Sequence, residues 1–164
     1  MTSKNTLSEK QIDIVQQPRI AVVSTISQSG YPHQTSVWFV YLDGAFYLSV
    51  PSTSQKYVNL QREPKMSLLI DVRNTYEQYG FCVQGTAELI SGDDAAAIRQ
   101  SVHTRYIKED ALADPNIGGF FENLDDVAVC LRPERIFDWD MEALDQQVFN
   151  GAILAGRSFH DIAY

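Results

Sequence analysis

The sequence has few positive charges, and this shortage narrows the range of partners it can bind. It contains 13 lysines and arginines against 21 aspartates and glutamates, which gives a formal net charge of −8. Nucleic-acid binding needs a basic surface that neutralises phosphates, so this charge argues against a nucleic-acid partner. It also argues against docking on an anionic membrane. We expect a small-molecule ligand, and any anionic ligand has to be held by a local cluster of donors.

Long apolar runs and paired cysteines are also missing. No hydrophobic stretch approaches the roughly 20 residues with which a helix crosses a bilayer. The polar opening MTSKNTLSEKQ does not have the composition of a signal peptide. The two cysteines, Cys82 and Cys130, stand far apart and match no metal or redox spacing. We therefore expect buried free thiols, no metal site, no membrane attachment and a cytoplasmic protein.

The composition is that of one globular domain of ordinary size. Of the 164 residues, 45% are hydrophobic and 21% are charged, which suffices for a real core. The last segment, residues 141–164, is too apolar to be a solvated disordered end. We therefore assign residues 1–140 to the main domain and expect the tail, residues 141–164, to pack on the body or on a second subunit.

Most of the chain between residues 20 and 140 has the composition of β-strands. The Asp43-Gly44 dipeptide between two hydrophobic runs is a strong hairpin signal, and Gly85 inside a strand predicts a bulge or a close backbone approach. Strands and helices do not alternate, so we expect a mainly β fold with peripheral helices, in which six antiparallel strands close into a small barrel. The predicted strands are residues 20–27, 33–42, 45–50, 65–72, 81–90 and 126–140, the last one bent or interrupted near Pro133.

Helical patterns occur between and before the predicted strands. Ser8 opens a capping box with Gln11, and Pro18 ends the short helix that follows. Residues 93–110 contain good helix formers and have an acidic first turn. Two further short helices are predicted over residues 56–62 and 117–124.

Lys56 occupies an unfavourable position for a cation. It lies in the first turn of a predicted helix, where the helix dipole is already positive. Free backbone N–H groups at a helix start form an anion site, and the preceding stretch SVPSTSQ adds hydroxyl donors. A bound phosphate would explain the lysine. A plain Ser/Thr cap beside a solvated lysine is the alternative interpretation of the same residues.

The predicted strand over residues 33–42 carries a mixture of groups that suits a flat heterocycle. One face offers small polar groups beside the apolar Val37, and the other carries the indole of Trp38. A core position for Trp38 is the alternative interpretation. Strict alternation places His33, Thr35, Val37 and Phe39 on one face and Gln34, Ser36, Trp38 and Val40 on the other.

Three blocks of the sequence together resemble the pyridoxamine 5′-phosphate oxidase-like family of flavin-binding split barrels. They are GYPHQTSVWFVYLDGAFYLSV, STSQKYVNLQREPKMSLLIDV and YGFCVQGTAELI, and the resemblance is strong over residues 19–91. The segment DVAVCLRPERIFDWD is similar to the last strand of that family. The resemblance implies a six-stranded split barrel and a homodimer with FMN bound at the subunit interface.

The resemblance also implies which residues hold the cofactor. Family members grip the flavin phosphate with strand-end hydroxyls and with the basic residue that opens the following helix. A tryptophan near the end of the last strand lies beside the flavin and would come from the partner subunit. The residues implied in this sequence are Thr35, Ser36, Val37 and Trp38 for the ring, Ser49, Ser52, Ser54 and Lys56 for the phosphate, and Trp139.

The sequence departs from true vitamin B6 oxidases at two places. Those enzymes have an arginine just before the lysine, where this chain has Gln55, and their last segment holds the substrate phosphate with arginine and histidine. Here the tail offers only Arg157 and His160, in a different pattern. We therefore do not expect oxidation of pyridoxamine phosphate.

The expected activity is that of an FMN-dependent oxidoreductase, in which the flavin exchanges hydride with a reduced nicotinamide or a small organic substrate. No side chain is assigned a catalytic role, although His33 could donate a proton and Tyr76 and Tyr79 could cover the substrate. A deazaflavin-dependent reductase of the same fold is an alternative. So is a flavin- or haem-binding sensor or carrier without turnover, with His33, His103 or His160 as candidate haem ligands.

Overall fold

The β-branched and aromatic runs of the sequence form one antiparallel sheet of eight strands. The computed structural model describes residues 5–73 and 77–160. Each strand pairing within this part is antiparallel. The strands are β1 (Ala21–Ile26), β2 (Pro32–Val37), β3 (Val40–Leu42), β4 (Ala45–Pro51), β5 (Lys65–Arg73), β6 (Gln78–Ile90), β7 (Asp126–Leu131) and β8 (Arg135–Asp140).

Helices lie outside the sheet, and three of them follow one another between β6 and β7. In the part of the chain that the structure describes, no helix is both long enough and apolar enough to span a bilayer. The helices are α1 (Glu9–Gln16), α2 (Gln55–Arg62), α3 (Asp93–Tyr106), α4 (Glu109–Ala113), α5 (Pro115–Glu122), α6 (Met141–Phe149) and α7 (Ala152–Ala155).

The long strand β6 belongs to both halves of the sheet. Its first part pairs with β8, its last part pairs with β7, and β5 runs along its other side. Gly85 lies between the two parts. A Cβ atom at Gly85 would come within 2.5 Å of the carbonyl oxygen of Arg132. The close backbone approach predicted for this glycine is therefore confirmed.

The sheet returns on itself at Trp38 and Phe39. Strands β2 and β3 stand at the two ends of the strand order β2-β1-β5-β6-β7-β4-β3, yet only these two residues separate them in the chain. The Tyr106 hydroxyl of α3 fills the break. It donates to the carbonyl oxygen of Arg19 at 2.6 Å and accepts from the Phe39 N–H at 3.3 Å. The Phe39 carbonyl oxygen also lies 3.2 Å away. This hydroxyl satisfies backbone groups that strand pairing leaves open.

The mainly β barrel with peripheral helices is confirmed, but the predicted number of six strands is wrong. The segment 33–42 breaks at Trp38 into β2 and β3, and the segment 126–140 breaks around Pro133 into β7 and β8. The second break falls where the sequence predicts an interruption, because proline has no N–H to donate to a strand partner. The helix predicted over residues 93–110 likewise divides into α3 and α4.

The predicted starts of α1 and α2 are confirmed by their caps. The Ser8 hydroxyl accepts from the Gln11 N–H at 3.3 Å, and the Gln11 side chain accepts from the Ser8 N–H at 2.9 Å. The Ser54 hydroxyl caps α2 by accepting from the Tyr57 N–H at 3.3 Å. Lys56 therefore lies in the first turn of α2, and no acidic residue stands in that turn.

The barrel interior is packed with aliphatic and aromatic side chains, and α2 contributes Leu60 to it. Because this core joins α2 to the strands, it fixes the start of α2 relative to the end of β4. Both cysteines are free; Cys130 is buried and Cys82 is half-buried. The largest fully buried side chains include Phe39, Phe46, Phe81, Leu48, Leu68 and Ile70.

The tail forms α6 and α7, and α6 contacts β6. The Asp140 side chain caps α6 and pairs with the Lys10 ammonium at 2.8 Å. The buried Asp145 carboxylate accepts the N–H groups of Ile153 and Leu154 at 3.1 and 2.9 Å, which ties α7 to α6. The division of the chain at residue 140 into a domain and a tail stays a prediction.

Candidate ligand-binding site

A cavity of about 340 Å³ lies where the ends of β2 and β4 meet helices α2, α3 and α5. Its size is in the range of small-molecule sites. We call it the first cavity. The predicted cofactor-binding residues that line it are Ser36, Val37, Trp38, Ser49 and Lys56, and the other lining residues are Ile20, Pro51, Val102, His103, Phe121, Leu124 and Asp126.

Trp38 gives the first cavity an aromatic wall. Its ring stacks on that of Tyr106, with 5.0 Å between the centroids and 3° between the planes. Val37 and Trp38 both line the cavity, although strict alternation places them on opposite faces. Phe39 and Val40 are likewise both buried. The predicted alternation is therefore wrong beyond Val37, because β2 ends there.

Lys56 lies half-buried in the first cavity, near the end of β4. Burial lowers the pKa of its ammonium below the usual 10.5, and the charge of Asp126 acts in the opposite direction. Within residues 5–73 and 77–160, this ammonium makes no hydrogen bond and no ion pair. A partly desolvated cation without a partner is the group that an anionic ligand would stabilise most.

The serine hydroxyls that were predicted to bind phosphate already have partners. The Ser49 hydroxyl donates to Asp126 at 2.6 Å, and the Ser52 hydroxyl donates to Asp125 at 2.6 Å. A hydroxyl has one hydrogen, so neither serine can donate to a phosphate while it donates to its carboxylate. The positive charge at this corner of the cavity therefore comes from Lys56, and Asp126 reduces it.

His103, on α3, lines the same cavity. It is 7% exposed, and its ring centroid lies 4.7 Å from that of Phe121 and 6.5 Å from that of Trp38. Burial lowers the pKa of its imidazole below the usual 6.5; Asp126 opposes this shift and Arg99 adds to it. The imidazole is therefore neutral near pH 7, with one donor and one acceptor nitrogen. Neither nitrogen has a hydrogen-bond partner among the described residues.

Four of the predicted cofactor-binding residues lie outside the lining of the first cavity. Ser52 and Ser54 have the partners described above. The hydroxyl of Thr35 is buried and lacks a partner in the described part of the chain. Trp139, on β8, is 44% exposed and covers Gly80, where a Cβ atom would meet its indole at 2.0 Å. The approach of Trp139 from a partner subunit stays a prediction.

The structure also locates the other residues that the sequence singles out. Tyr79 belongs to β6 and is buried in the core, so it cannot cover a substrate. His33 lies on β2 and His160 is exposed near the end of the chain, and neither lines the first cavity. Tyr76 lies outside the described residues.

Most of the cavity residues that sequence reasoning missed lie far from Lys56 and Trp38 in the chain, although Pro51 lies close to Lys56. No local pattern points to Asp126, which reaches Ser49 only through the pairing of β4 with β7. The helical residues come close only when α3 and α5 fold back over the strand ends. The missed residues are Ile20, Pro51, Val102, Phe121, Leu124 and Asp126, and the sequence points to His103 only as a candidate haem ligand.

The first cavity fits a ligand that combines a flat ring with an anionic end. Trp38, Val37 and Phe121 offer apolar surface for a ring, and the unpaired Lys56 offers charge for the anion. In a flavin complex these residues would hold the isoalloxazine and the phosphate, respectively. Asp126 makes the anionic end less favourable than it would be in a purely cationic pocket.

The antiparallel barrel with its peripheral helices defines a split-barrel protein, and the helices cover a cavity at the strand ends. The sequence model of the family described as pyridoxamine 5′-phosphate oxidase matches residues 7–140. Because this match spans most of the chain, the protein belongs to the pyridoxamine 5′-phosphate oxidase family, as the resemblance predicts. A search of curated proteins gives no match.

Solved structures share the fold. The conserved hypothetical protein Rv2991 from Mycobacterium tuberculosis is similar with a TM-score of 0.70 and 29% identity, over 88% of this chain and 92% of that one. An F420 reductase is similar with a TM-score of 0.61 and 22% identity, over 80% of this chain and 98% of that one. HutZ, the haem storage protein from Vibrio cholerae, is similar with a TM-score of 0.63 and 16% identity, over 80% and 94% of the two chains.

Proposed function

We infer that the protein binds FMN at the interface of a homodimer and transfers hydride to or from a small organic substrate. The observation that carries this inference is the meeting of the unpaired Lys56 ammonium and the Trp38 ring in one cavity. A phosphate with nearly two negative charges would stabilise this ammonium, and an isoalloxazine ring would bury the apolar wall.

FMN, when bound, supplies the hydride chemistry. The residues of the chain bind and orient it: Lys56 holds the phosphate, and Trp38 and Val37 cover the ring. The backbone of β2 beside Ser36 offers donors and acceptors for the ring edge. His103 of α3 and Phe121 of α5 line the cavity from the helical side and exclude water there.

The homodimer is supported by the outer side of β8. This strand pairs with β6 alone among the described strands. Phe137 and Trp139, two residues apart on it, are 45% and 44% exposed. Aromatic side chains at an open sheet edge are well suited to burial against a second subunit. A dimer built there would bring the Trp139 of one subunit towards the partner.

Pyridoxamine phosphate is not the substrate that we infer. The Gln55 side chain, which stands where vitamin B6 oxidases have arginine, donates to the Asn59 side chain at 2.9 Å. Gln55 adds no positive charge for a phosphate. Arg157 and His160 are both exposed at the end of the described chain and do not line the first cavity.

The absorption spectrum of the freshly purified protein tests this function. We expect a yellow protein with the visible absorption band of a flavin, which bleaches when the protein is mixed anaerobically with a reduced nicotinamide. Release of the ligand by heat and chromatography would identify it as FMN. A colourless protein that takes up neither FMN nor a deazaflavin would contradict the proposal.

A deazaflavin coenzyme is a second candidate, because its ring needs the same walls as that of FMN. One structural neighbour is an F420 reductase, which supports the same candidate. The two coenzymes have different absorption spectra, so the same preparation distinguishes them.

A non-catalytic flavin or haem carrier is a third candidate. The buried, unpaired imidazole of His103 in the first cavity favours this candidate, because a histidine nitrogen would bind haem iron. A haem storage protein is also among the structural neighbours. A Soret band that is lost in the His103→Ala variant would support this role. A flavin that no physiological donor bleaches would support a flavin carrier.

A further inference from the structure

A second cavity, of about 480 Å³, lies among helices α3, α4 and α5. It shares two lining residues, His103 and Phe121, with the first cavity. The two cavities therefore have a common wall, and a ligand in either of them meets the same two rings. Both volumes lie in the range of small-molecule sites.

The imidazole of His103 is the polar group of this common wall. Its side chain is more than nine-tenths buried, and its nitrogens lack hydrogen-bond partners within the described ranges. The ring nitrogens are not among the fully buried polar atoms that lack a partner, so they face the open space of the cavities that His103 lines. Phenylalanine would pack as well against Phe121 and Trp38. A histidine here, unlike a phenylalanine, presents hydrogen-bonding atoms to a ligand in the cavities.

The charges around the second cavity nearly cancel. Arg99 and Glu122 line it with opposite signs, and the Arg99 guanidinium already donates to the carbonyl oxygen of Leu124 at 2.8 Å. On the side of the first cavity, Lys56 and Asp126 also have opposite charges. The second cavity therefore does not favour an ion of either sign.

The remaining walls suit a flat ring. Phe121 offers an aromatic face and Leu112 an aliphatic one, while Ala96 and Ala97 leave space beside them. An aromatic ligand would stack on or against Phe121. A neutral imidazole presents one donor and one acceptor, and a carboxamide presents the complementary pair.

We propose that the second cavity binds a neutral planar ring bearing a carboxamide or a similar donor–acceptor pair, with His103 as its hydrogen-bonding partner. The proposal does not rest on the proposed function, because a ring in the second cavity lies behind the common wall of His103 and Phe121 and needs no cofactor in the first cavity. Its geometry depends on the second cavity and on the common wall alone.

Nuclear magnetic resonance of the imidazole groups tests the proposal directly. The chain has three histidines, so comparison with the His103→Gln variant assigns the His103 signal. Nicotinamide is the probe, and nicotinate keeps the ring but replaces the amide by a carboxylate. We expect nicotinamide to shift the His103 signal saturably and nicotinate to bind about tenfold more weakly, because one hydrogen bond is lost and a charge is buried. Equal binding of both, or no shift at His103, would overturn the proposal.

A variant that fills the second cavity locates the binding. Ala96→Leu should abolish the response to nicotinamide and keep flavin binding, since Ala96 lines the second cavity and not the first. The matched control is Ala113→Leu, at an exposed position of α4 outside both linings. Displacement of nicotinamide by saturating FMN would place the probe in the first cavity and would refute the proposal.

The outcomes separate this proposal from the proposed function. If the protein binds no flavin but nicotinamide shifts the His103 signal, the proposed flavin-dependent function is refuted and the proposed second site is supported. If the protein binds FMN but nicotinamide does not shift the His103 signal, the proposed second site is refuted and the proposed flavin-dependent function is supported.

Discussion

Lys56 and Asp126 bring opposite charges to one corner of the first cavity. No ion pair joins them within 4 Å in the described part of the chain, and Asp126 is instead bonded to Ser49. Each charge is therefore available to act on a ligand. Lys56 should strengthen the binding of an anionic ligand and Asp126 should weaken it, so substitutions at the two positions should change the affinity in opposite directions.

Replacing Lys56 by alanine should weaken FMN binding much more than riboflavin binding, because riboflavin has no phosphate. A charge-assisted contact with a phosphate contributes about 1.5–3 kcal/mol, or roughly ten- to hundredfold in affinity. Quenching of flavin fluorescence on titration measures both dissociation constants. Equal losses for the two ligands would rule out a phosphate contact.

Two further variants serve as controls for this measurement. Lys56→Arg keeps the charge and should retain most of the preference for FMN. Asp126→Asn should increase that preference, because it removes a negative charge from the phosphate corner. Ser49→Ala removes the hydrogen bond to Asp126 but leaves the charge, so it should not imitate Asp126→Asn.

The preference for FMN should also decline at high pH. Burial lowers the pKa of Lys56 below 10.5 in the free protein, so its charge is lost earlier than that of an exposed lysine as the pH rises. The phosphate of FMN is doubly ionised above about pH 7, because its second pKa is about 6. The affinity ratio of FMN to riboflavin should therefore be highest near pH 7 and fall as the pH approaches 10.5. In Lys56→Arg the ratio should stay constant over this range.

At the residue scale, the sequence predicts one half of the site. The place of Lys56 in a first helical turn is a local property, and so is the mixture of small polar and apolar groups around Trp38. Asp126 and His103 enter through long-range pairing: Asp126 faces Pro51 in the register of β4 with β7. The family resemblance implies phosphate contacts for Ser49 and Ser52, but it does not reveal the carboxylates of Asp126 and Asp125 that these serines contact.

Helix α3 is joined to the barrel through the Tyr106 hydroxyl at the break between β2 and β3. Tyr106→Phe should lower the free energy of unfolding by about 1–3 kcal/mol, because buried backbone groups lose their partner. The phenyl ring keeps the stacking on Trp38. Urea unfolding measures the change. The matched control is Tyr41→Phe, a half-buried tyrosine whose hydroxyl makes no hydrogen bond to the described residues; an equal loss there would refute the role of Tyr106.

Among the elements, those with local signals are predictable. The Asp43-Gly44 hairpin forms with positive φ angles of 49° and 77°, as a two-residue turn of this type requires. The capping box of α1 forms as well. The break after Val37 has no local signal, because the group that satisfies the open backbone comes from Tyr106, far along the chain.

For the whole molecule, the open side of β8 predicts a homodimer. Phe137→Glu should dissociate it, because burying an unpaired carboxylate in an apolar interface is unfavourable. Sedimentation equilibrium should then give the mass of a single chain, whereas the unchanged protein should give twice that mass.

The control for the dimer is Tyr31→Glu, at a highly exposed position in the turn before β2. It adds the same charge and should leave the dimer intact. A monomeric unchanged protein would refute the dimer outright, and a dimer that survives Phe137→Glu would move the interface to another surface.

The three helices between β6 and β7 carry one wall of the first cavity and most of the second, while Lys56 and Trp38 belong to the barrel side. The residues that would decide ligand preference are thus divided between the barrel and one contiguous helical segment, residues 93–124. Exchanging residues 93–124 between proteins of this fold would change the helical walls of both cavities and leave the barrel side, with Lys56 and Trp38, unchanged. The exchanged segment would have to keep Tyr106 at the end of α3, because its hydroxyl bonds the backbone of Arg19 and Phe39 in the barrel.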